Sequence, residues 1–239
     1  MSITAIMSVY NEMNFLPLKI RWCRSNNIDL YVCDNMSIDG TWELLQKENI
    51  PSHQFSTGDM FSEKLIQKEI RNTLIRLNLE WVLYMGCDMF FDIPENYQDY
   101  DYVSFYYYSF KYTGEERSIP FNPFKTHRWA HPCGGINFLF RWSDGVKFNA
   151  DEIVIPGKGL HEHTLALNYG DIKPIEERED TKRRKQKAWN HGDPVAWGSH
   201  YLDGSAIGWI WDKERLVDMS TTSHWKTIQQ MAKDSGVSF

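Results

Sequence analysis

Three short polar segments directly follow apolar runs that have the composition of buried strands. They are Asn11-Glu12, the stretch from Asp34 to Asp39, and the turn from Gly86 to Asp88. Carboxylates and amides in such places can accept hydrogen bonds from a nucleoside or hold a metal ion through oxygen ligands. Each segment alone also fits a turn or a helix cap, because Asp, Asn, Ser and Gly are turn residues. All three at one edge of a single sheet would favour a ligand site.

Hydrophobic periodicity predicts the elements that would position these segments. The predicted strands are Ile3–Val9, Leu30–Cys33, His53–Ser56 and Trp81–Met85. The predicted helices are Phe15–Cys23, Trp42–Lys47 and a longer one whose apolar face carries Ile66, Ile70, Leu74 and Leu77. Alternating strands and helices predict a mostly parallel sheet with helices packed on it. Ligands bind at the carboxyl ends of strands in such sheets, so the three polar segments are expected to be neighbours in space.

The second half of the chain is less regular. Its predicted strands are Tyr102–Phe110 and Asn137–Trp142. Between them, Pro120 to Gly135 is predicted to be a long loop of the kind that often binds a ligand or acts as a lid. The charged segment from Pro174 to Lys187 predicts a helix.

Composition excludes some classes of protein. The formal net charge of −6 argues against duplex nucleic acid as the main partner, because phosphate binding favours a basic face. No apolar run approaches the roughly 20 residues of a membrane span. The first ten residues lack the charged start of a signal peptide. Four cysteines without a C-x-x-C pair argue against a zinc knuckle or redox motif, so we expect a reducing, cytoplasmic compartment.

The polar segments resemble those of family-2 glycosyltransferases with the GT-A fold. The stretch from Asp34 to Thr41 is similar to the D-[DN]-x-S-x-D-G-T pattern of that family, and Val9 to Glu12 is similar to its V-x-N-E segment. Arg71-Asn72 followed by Trp81 to Leu83 resembles its R-N helix and the W-[IV]-L strand behind it. The resemblance covers residues 3 to 92.

The resemblance implies an α/β chain with a GT-A (Rossmann-like), mostly parallel sheet flanked by helices. Residues 1–239 would form a single GT-A-like domain, with the nucleotide-sugar-binding half in residues 1–100. Residues 101–239 would be a less regular acceptor-binding half with a C-terminal extension. The implied activity is metal-assisted, inverting transfer of a sugar from a nucleotide-diphosphate-sugar donor to the hydroxyl of a glycan or another acceptor, with Mn²⁺ or Mg²⁺ as cofactor.

The resemblance also implies a donor site. Asn11 and Glu12 would border the nucleoside pocket, Asp34 would bond the base, Asp39 would cap a helix, and Arg71 would lie near base or phosphates. Cations of the later charged segment, Arg178, Lys182, Arg183 and Arg184, could hold the phosphates or could form a solvated helix face with Glu/Lys pairing. The residues expected to bind the nucleotide-sugar are Asn11, Glu12, Asp34, Asn35, Asp39, Arg71, Gly135 and Arg184.

Asp88 would be the metal-binding aspartate of the D-x-D element, and His161 or His163 would complete the metal shell; the alternative for either histidine is an exposed loop position. The chain departs from the family where Gly86 replaces the first aspartate and Asn168 stands in place of a histidine. The general base that accepts the acceptor proton would be Asp151 or Glu152, although both also fit a surface loop. Gly134-Gly135 allows a close backbone approach to a ligand, or is a turn.

Two other functions are compatible with the same residues. A non-catalytic nucleotide- or glycan-binding relative of the same fold would explain Gly86 as decay of the metal site. A nucleotidyltransferase would use a related sheet, but it usually carries a Gly-rich phosphate loop after the first strand. This chain has Asn11-Glu12-Met13-Asn14 at that point.

Overall fold

The computed structural model describes residues 2–111, 123–126, 129–149, 152–169, 175–193 and 216–237. The strands are Ile3–Val9 (β1), Asp29–Asp34 (β2), Ser52–Gln54 (β3), Trp81–Tyr84 (β4), Met89–Phe91 (β5), Tyr102–Phe110 (β6), Trp129–Arg141 (β7), Lys147–Asn149 (β8), Glu152–Val154 (β9), Gly159–Asn168 (β10) and Val217–Asp218 (β11). The helices are Leu16–Ser25 (α1), Thr41–Lys47 (α2), Glu63–Leu77 (α3), Pro123–Thr126 (α4), Ile175–Asn190 (α5) and Trp225–Asp234 (α6).

One sheet runs through both halves of the chain. Its strand order is β3-β2-β1-β4-β7-β6-β10-β5, with β11 added beside β7. The neighbours from β3 to β4 are all parallel, as are β6 and β10, whereas β7 and β5 are antiparallel to their neighbours. The α/β fold class with a largely parallel central sheet is therefore confirmed. Strands β8 and β9 form a separate antiparallel hairpin.

Helices cover both faces of the sheet because residues of β1 alternate between the two faces. Ala5 and Met7 pack in the core that contains α1, and Ile6 packs in the core that contains α3. Helix α3 begins at a capping serine, Ser62, which accepts a hydrogen bond from the backbone N–H of Leu65. Residues of β1 and β4 therefore pack in the core with α1 on one face of the sheet and in the core with α3 on the other.

Part of the predicted loop from Pro120 to Gly135 is a strand. Strand β7 begins at Trp129 and pairs with β6 as far as Phe110, and its register shifts opposite Tyr106 to Tyr108. A bulge of this kind accommodates proline and glycine inside a strand, which is why Pro132 does not break it. Among the described residues, no helix is both long and apolar enough to cross a bilayer.

Candidate functional site

The carboxyl ends of β1 and β2 are joined by hydrogen bonds between the loops that follow them. The backbone N–H of Asn11 donates to Ser37 Oγ at 2.9 Å, and the N–H of Ile38 donates to Asn11 Oδ1 at 2.9 Å. The N–H of Glu12 donates to Thr41 Oγ1 at 2.8 Å. The structure therefore brings together the first two polar segments, which lie far apart in sequence.

The backbone at this edge is held in an uncommon conformation. Asn11 and Met36 have φ angles of 54° and 57°, in the left-handed region that a residue with a side chain rarely adopts. Asn tolerates this region, whereas Met does so only when its surroundings impose it. The cross-loop bonds of Asn11 supply that constraint, so the two loops form one rigid rim.

Asp39 links the loop after β1 to the start of α2. Its Oδ2 accepts from the N–H of Met13 at 3.0 Å, and its Oδ1 accepts from the N–H of Thr41, the first residue of α2, at 3.0 Å. The residue that directly precedes α2 is Gly40, with φ of 98°. The side chain of Asp39 therefore bonds the start of the helix, although it stands one position before the cap.

Asp34 is the last residue of β2 and is fully buried. Its Oδ2 accepts from the N–H of Ser37 at 3.2 Å and from Gln54 Nε2 at 3.0 Å. Its Oδ1 is also buried, and no described residue donates a hydrogen bond to it. A buried acceptor that lacks a donor costs about 1–3 kcal/mol, so an N–H group from a ligand would satisfy this oxygen.

Asn35 acts through protein contacts. Its Nδ2 donates to Thr57 Oγ1 at 2.9 Å, and its Oδ1 accepts from the Thr57 N–H at 3.0 Å. The Thr57 hydroxyl in turn donates to the carbonyl of Met60 at 2.5 Å. Both amide atoms of Asn35 thus hold the β3–α3 loop against the end of β2. Sequence reasoning did not identify Thr57.

Arg184 reaches the same edge from α5. Its guanidinium carbon lies 3.4 Å from the ring centroid of Tyr10, and Nη2 donates to the carbonyl of Met60 at 3.2 Å. The side chain is buried, which lowers the pKa of the guanidinium, and no described residue accepts a hydrogen bond from its Nε. A cation with an unused donor therefore stands beside the end of β1.

Helix α5 is docked on the β3–α3 loop by further polar contacts. Asp59 accepts from Arg183 at 2.7 Å and from Lys187 at 3.0 Å, and Ser62 Oγ donates to Asp193 Oδ2 at 2.5 Å. The ion pairs of Asp59 are solvent-exposed and contribute little stability. The buried Ser62–Asp193 bond and Arg184 are the stronger links between α5 and the rim.

The turn after β4 carries the third polar segment. The N–H of Tyr169 donates to the carbonyl of Asp88 at 3.0 Å, which ties this turn to the carboxyl end of β10. A Cβ atom added to Gly86 would lie 2.6 Å from Asp88 Oδ1. The Asp88 carboxylate therefore occupies the space that a side chain at position 86 would need.

The backbone of the two predicted histidines lies away from the Asp88 turn, toward the other end of β10. His161 lies near the amino end of β10, where its Nε2 is 3.2 Å from the hydroxyl of Tyr102. Asn168, at the other end of β10, pairs with Met89 beside the Asp88 turn. Leu160, the residue before His161, pairs with Val103 of β6, and Asn168 pairs with Ser109, so the two ends of β10 are about 20 Å apart. Thr164, the residue after His163, pairs with Phe105, which is about 13 Å along β6 from Ser109.

The other predicted residues are dispersed. Arg71 is exposed on α3, about 12 Å along the helix axis from its first residue. Gly135 lies within β7, opposite Tyr106. Glu152 begins β9 in the hairpin whose Phe148 packs against Tyr84 at the end of β4. Asp151, Arg178's side chain and the side chain of Glu152 lie outside the described part of the structure.

The turn from Gly86 to Asp88 carries one carboxylate, that of Asp88. No group of three His, Cys, Asp or Glu side chains among the described residues is arranged to hold a metal ion. Asp88 could contribute one oxygen ligand, with phosphate oxygens and water supplying the others, in the manner usual for Mg²⁺.

Lys19 on α1 is a functional candidate that sequence reasoning did not select. It is fully buried, and its Nζ lies 3.6 Å from Met85 Sδ and 4.0 Å from the ring centroid of Phe90. Burial lowers its pKa to about 8, opposed by the nearby Cys23, Cys87 and Asp88. The signal was present in the sequence, because Lys19 occupies an apolar stripe of α1.

Comparison with known proteins finds similarity in three-dimensional structure only. No family profile matches the sequence, and no curated protein is significantly similar. TarS residues 1–349 from S. aureus in complex with UDP is 18% identical, with a TM-score of 0.36 over 52% of this chain and 40% of that one. The chain thus spans less than half the length of that structure.

Two further solved structures are similar over more of the chain. HddC from Yersinia pseudotuberculosis is 10% identical, with a TM-score of 0.42 over 77% of this chain and 99% of that chain. A protein described as a nucleotide-diphospho-sugar transferase, from Desulfovibrio desulfuricans G20, is 12% identical, with a TM-score of 0.36 over 87% of this chain and 97% of that one. At these identities and TM-scores the similarity carries no inference about the activity or substrate of this chain.

Proposed function

We propose that this chain is a glycosyltransferase that binds a nucleotide-diphosphate sugar at the carboxyl ends of β1, β2 and β4. The observation that carries the proposal is the buried Oδ1 of Asp34, which lacks a donor among the described residues. It lies at the edge where Tyr10 and Arg184 also meet. A buried carboxylate oxygen without a donor favours a ligand that brings an N–H group.

The buried Oδ1 of Asp34 also limits which bases the bound nucleotide can carry. Uracil and thymine present one imino N–H, and guanine presents an imino N–H beside an amino group, so each of these can donate to a carboxylate. The rigid rim around Asn11 prevents the carboxylate from turning away, because Ser37 and Gln54 already hold Oδ2 of Asp34. The proposed donor therefore carries uridine, thymidine or guanosine.

The diphosphate would lie between Arg184 and Asp88. The unused Nε of Arg184 can donate to a phosphate oxygen, and a charged donor of this kind is stronger than a neutral one. Asp88 would contribute one ligand to Mn²⁺ or Mg²⁺, which when bound would neutralise charge on the departing nucleoside diphosphate. Arg184 would add a second, fixed positive charge to the same leaving group.

In the proposed reaction, the acceptor hydroxyl attacks the anomeric carbon of the sugar as the bond to the diphosphate breaks. A carboxylate takes the hydroxyl proton, and Asp151 or Glu152 remains our proposal for that base. Attack from the face opposite the leaving group would invert the anomeric configuration. The acceptor would be a glycan or another molecule with a free hydroxyl.

The test is nucleotide binding by wild type and by the Asp34→Asn variant, which keeps the size of the side chain and puts an NH₂ group toward the ligand. Wild type should bind UDP, TDP or GDP, and Asp34→Asn should lose about tenfold or more in affinity, since a buried charged hydrogen bond contributes about 1.5–3 kcal/mol. Asp29→Asn is the matched control, because Asp29 is the exposed first residue of the same strand, at the end opposite Asp34, and the affinity of this variant should match that of wild type. Equal binding by Asp34→Asn and wild type would refute the assignment of the base pocket.

A non-catalytic relative of the same fold is the second candidate, and the Gly86–Asp88 geometry favours it. The Asp88 carboxylate fills the space that the side chain of a first aspartate would need, so the turn has room for one carboxylate. The two functions differ in turnover. Donor hydrolysis or transfer by wild type, measured with Mn²⁺ and with Mg²⁺, supports the enzyme; nucleotide binding without either supports the binding protein.

A further inference from the structure

The ammonium group of Lys19 is enclosed by apolar and aromatic side chains. Its Nζ lies 4.0 Å from the ring centroid of Phe90, 4.7 Å from that of Trp22 and 3.6 Å from Met85 Sδ. No oxygen of the described residues accepts a hydrogen bond from it. The two rings add cation–π attraction to the electrostatic attraction of the nearby Asp88.

An amine in this place is costly for folding. Moving a charge from water into such surroundings opposes folding, and neutral side chains of the same volume often stabilise a protein when they replace it. Methionine has nearly the same length and would extend the sulfur and aromatic cluster of Met85, Trp22 and Phe90. A cation that the fold would be more stable without suggests a role in binding.

The position of Lys19 relates that charge to the donor site. Helix α1 begins directly behind the rim, because the N–H groups of Phe15 and Leu16 donate to the carbonyl of Glu12. Lys19 lies one turn further along, and its amine contacts Met85, the residue that precedes Gly86. The ammonium is therefore enclosed behind the turn that carries Asp88, in a region of low dielectric where charge acts over a longer distance.

We propose that Lys19 is a positioning residue of the donor site, whose buried positive charge attracts the diphosphate of the nucleotide-sugar to the Gly86–Asp88 turn. The inference rests on the proposed function, since it requires a diphosphate at this edge. Lys19 is inaccessible to the ligand, so it acts through its field. That field offsets the negative charge of Asp88, which would otherwise repel phosphate.

The test compares a nucleoside with its diphosphate. Wild type, Lys19→Met and Lys47→Met are titrated by calorimetry at one Mn²⁺ concentration. Each protein is titrated with three pairs of ligands: uridine and UDP, thymidine and TDP, and guanosine and GDP. Lys47 is the exposed last residue of α2, so its variant loses the same charge from a solvent-exposed position outside the cluster. Lys19→Met should bind the diphosphate about tenfold more weakly and the nucleoside as wild type does, and Lys47→Met should match wild type.

The outcomes separate the two proposals. Binding of a nucleoside diphosphate by wild type supports the donor site whatever the variant does. Equal diphosphate affinity in Lys19→Met and wild type would overturn the role of Lys19, as would an equal loss for nucleoside and diphosphate, which indicates a purely structural effect. If wild type binds none of the three diphosphates, the donor site and the role of Lys19 both fail. Near-UV circular dichroism checks that Lys19→Met is folded.

Discussion

Replacing Lys19 by methionine should stabilise the protein at neutral pH. Burial lowers the pKa of Lys19 in the folded chain from 10.5 to about 8. One pKa unit corresponds to about 1.4 kcal/mol, so the difference amounts to about 3 kcal/mol of folding free energy. Below pH 8 the amine is charged in both states, so the full free-energy cost of burying the charge reduces the stability of the folded state. We expect Lys19→Met to be more stable than wild type by about 2–3 kcal/mol at pH 7, after the loss of the cation–π contacts.

The sign of the pH dependence follows from the same values. Between pH 8 and 10.5 the unfolded chain keeps the Lys19 proton while the folded chain has lost it. Stability therefore rises with pH across this window, and the cost disappears above it. Lys19→Met lacks this titration, so its advantage over wild type should shrink as pH rises through the window and nearly vanish by pH 10.5.

Urea unfolding of wild type, Lys19→Met and Lys47→Met at several pH values from 7 to 10.5 measures this effect. The difference between wild type and variant is the useful quantity, because groups that do not interact with Lys19 titrate alike in both proteins; the pKa of Cys33, for example, is raised by burial to about 12. Lys47→Met should stay within about 0.5 kcal/mol of wild type. A Lys19→Met protein that is less stable at pH 7, or a difference that is independent of pH, would refute the reasoning.

Two further substitutions test the roles of Gly86 and Arg184 in nucleotide binding. Gly86→Asp, which restores the D-x-D pattern, should displace the Asp88 carboxylate, because the new Cβ would lie 2.6 Å from Asp88 Oδ1. We therefore expect this variant to bind nucleotide more weakly than wild type when binding is measured by calorimetry. Tighter Mn²⁺-dependent binding by the variant would contradict this expectation. Arg184→Lys keeps the charge but loses the planar stack on Tyr10, so unfolding free energy should fall by about 1–2 kcal/mol and nucleotide affinity should fall with it. Unchanged values for both quantities would show that stacking at this position contributes nothing.

The first half of the fold could be predicted from the sequence because its signals are local. The strand Ile3–Val9 is predicted with the bounds that the structure has, and the polar segments follow their strands as expected. The bonds between Asn11 and Ser37 confirm that the first two segments meet. Parallel strands joined by helices leave few alternative arrangements, so periodicity alone was sufficient there.

The second half could not be predicted in the same way. Strand β7 contains Pro132 and Gly134-Gly135, which suggest a loop until the pairing with β6 and its register shift are known. The position of His161 depends on the direction of β10, and that direction is set by pairing with β6. Arg184 was predicted as a phosphate ligand, but its stack on Tyr10 arises from a contact between residues distant in sequence.

The docking of α5 has a consequence for how the protein folds. The contacts that close the rim join residues 124 to 131 positions apart, from Asp59 with Arg183 to Ser62 with Asp193. Contacts of such long range form late, because a long loop must close before they contribute any stability. During synthesis, β1 to β4 can pair well before α5 has left the ribosome. Tyr10 lacks its contact with Arg184 until α5 has emerged. The edge of β4 is open, and therefore prone to aggregate, for the shorter time before β7 is made and pairs with it.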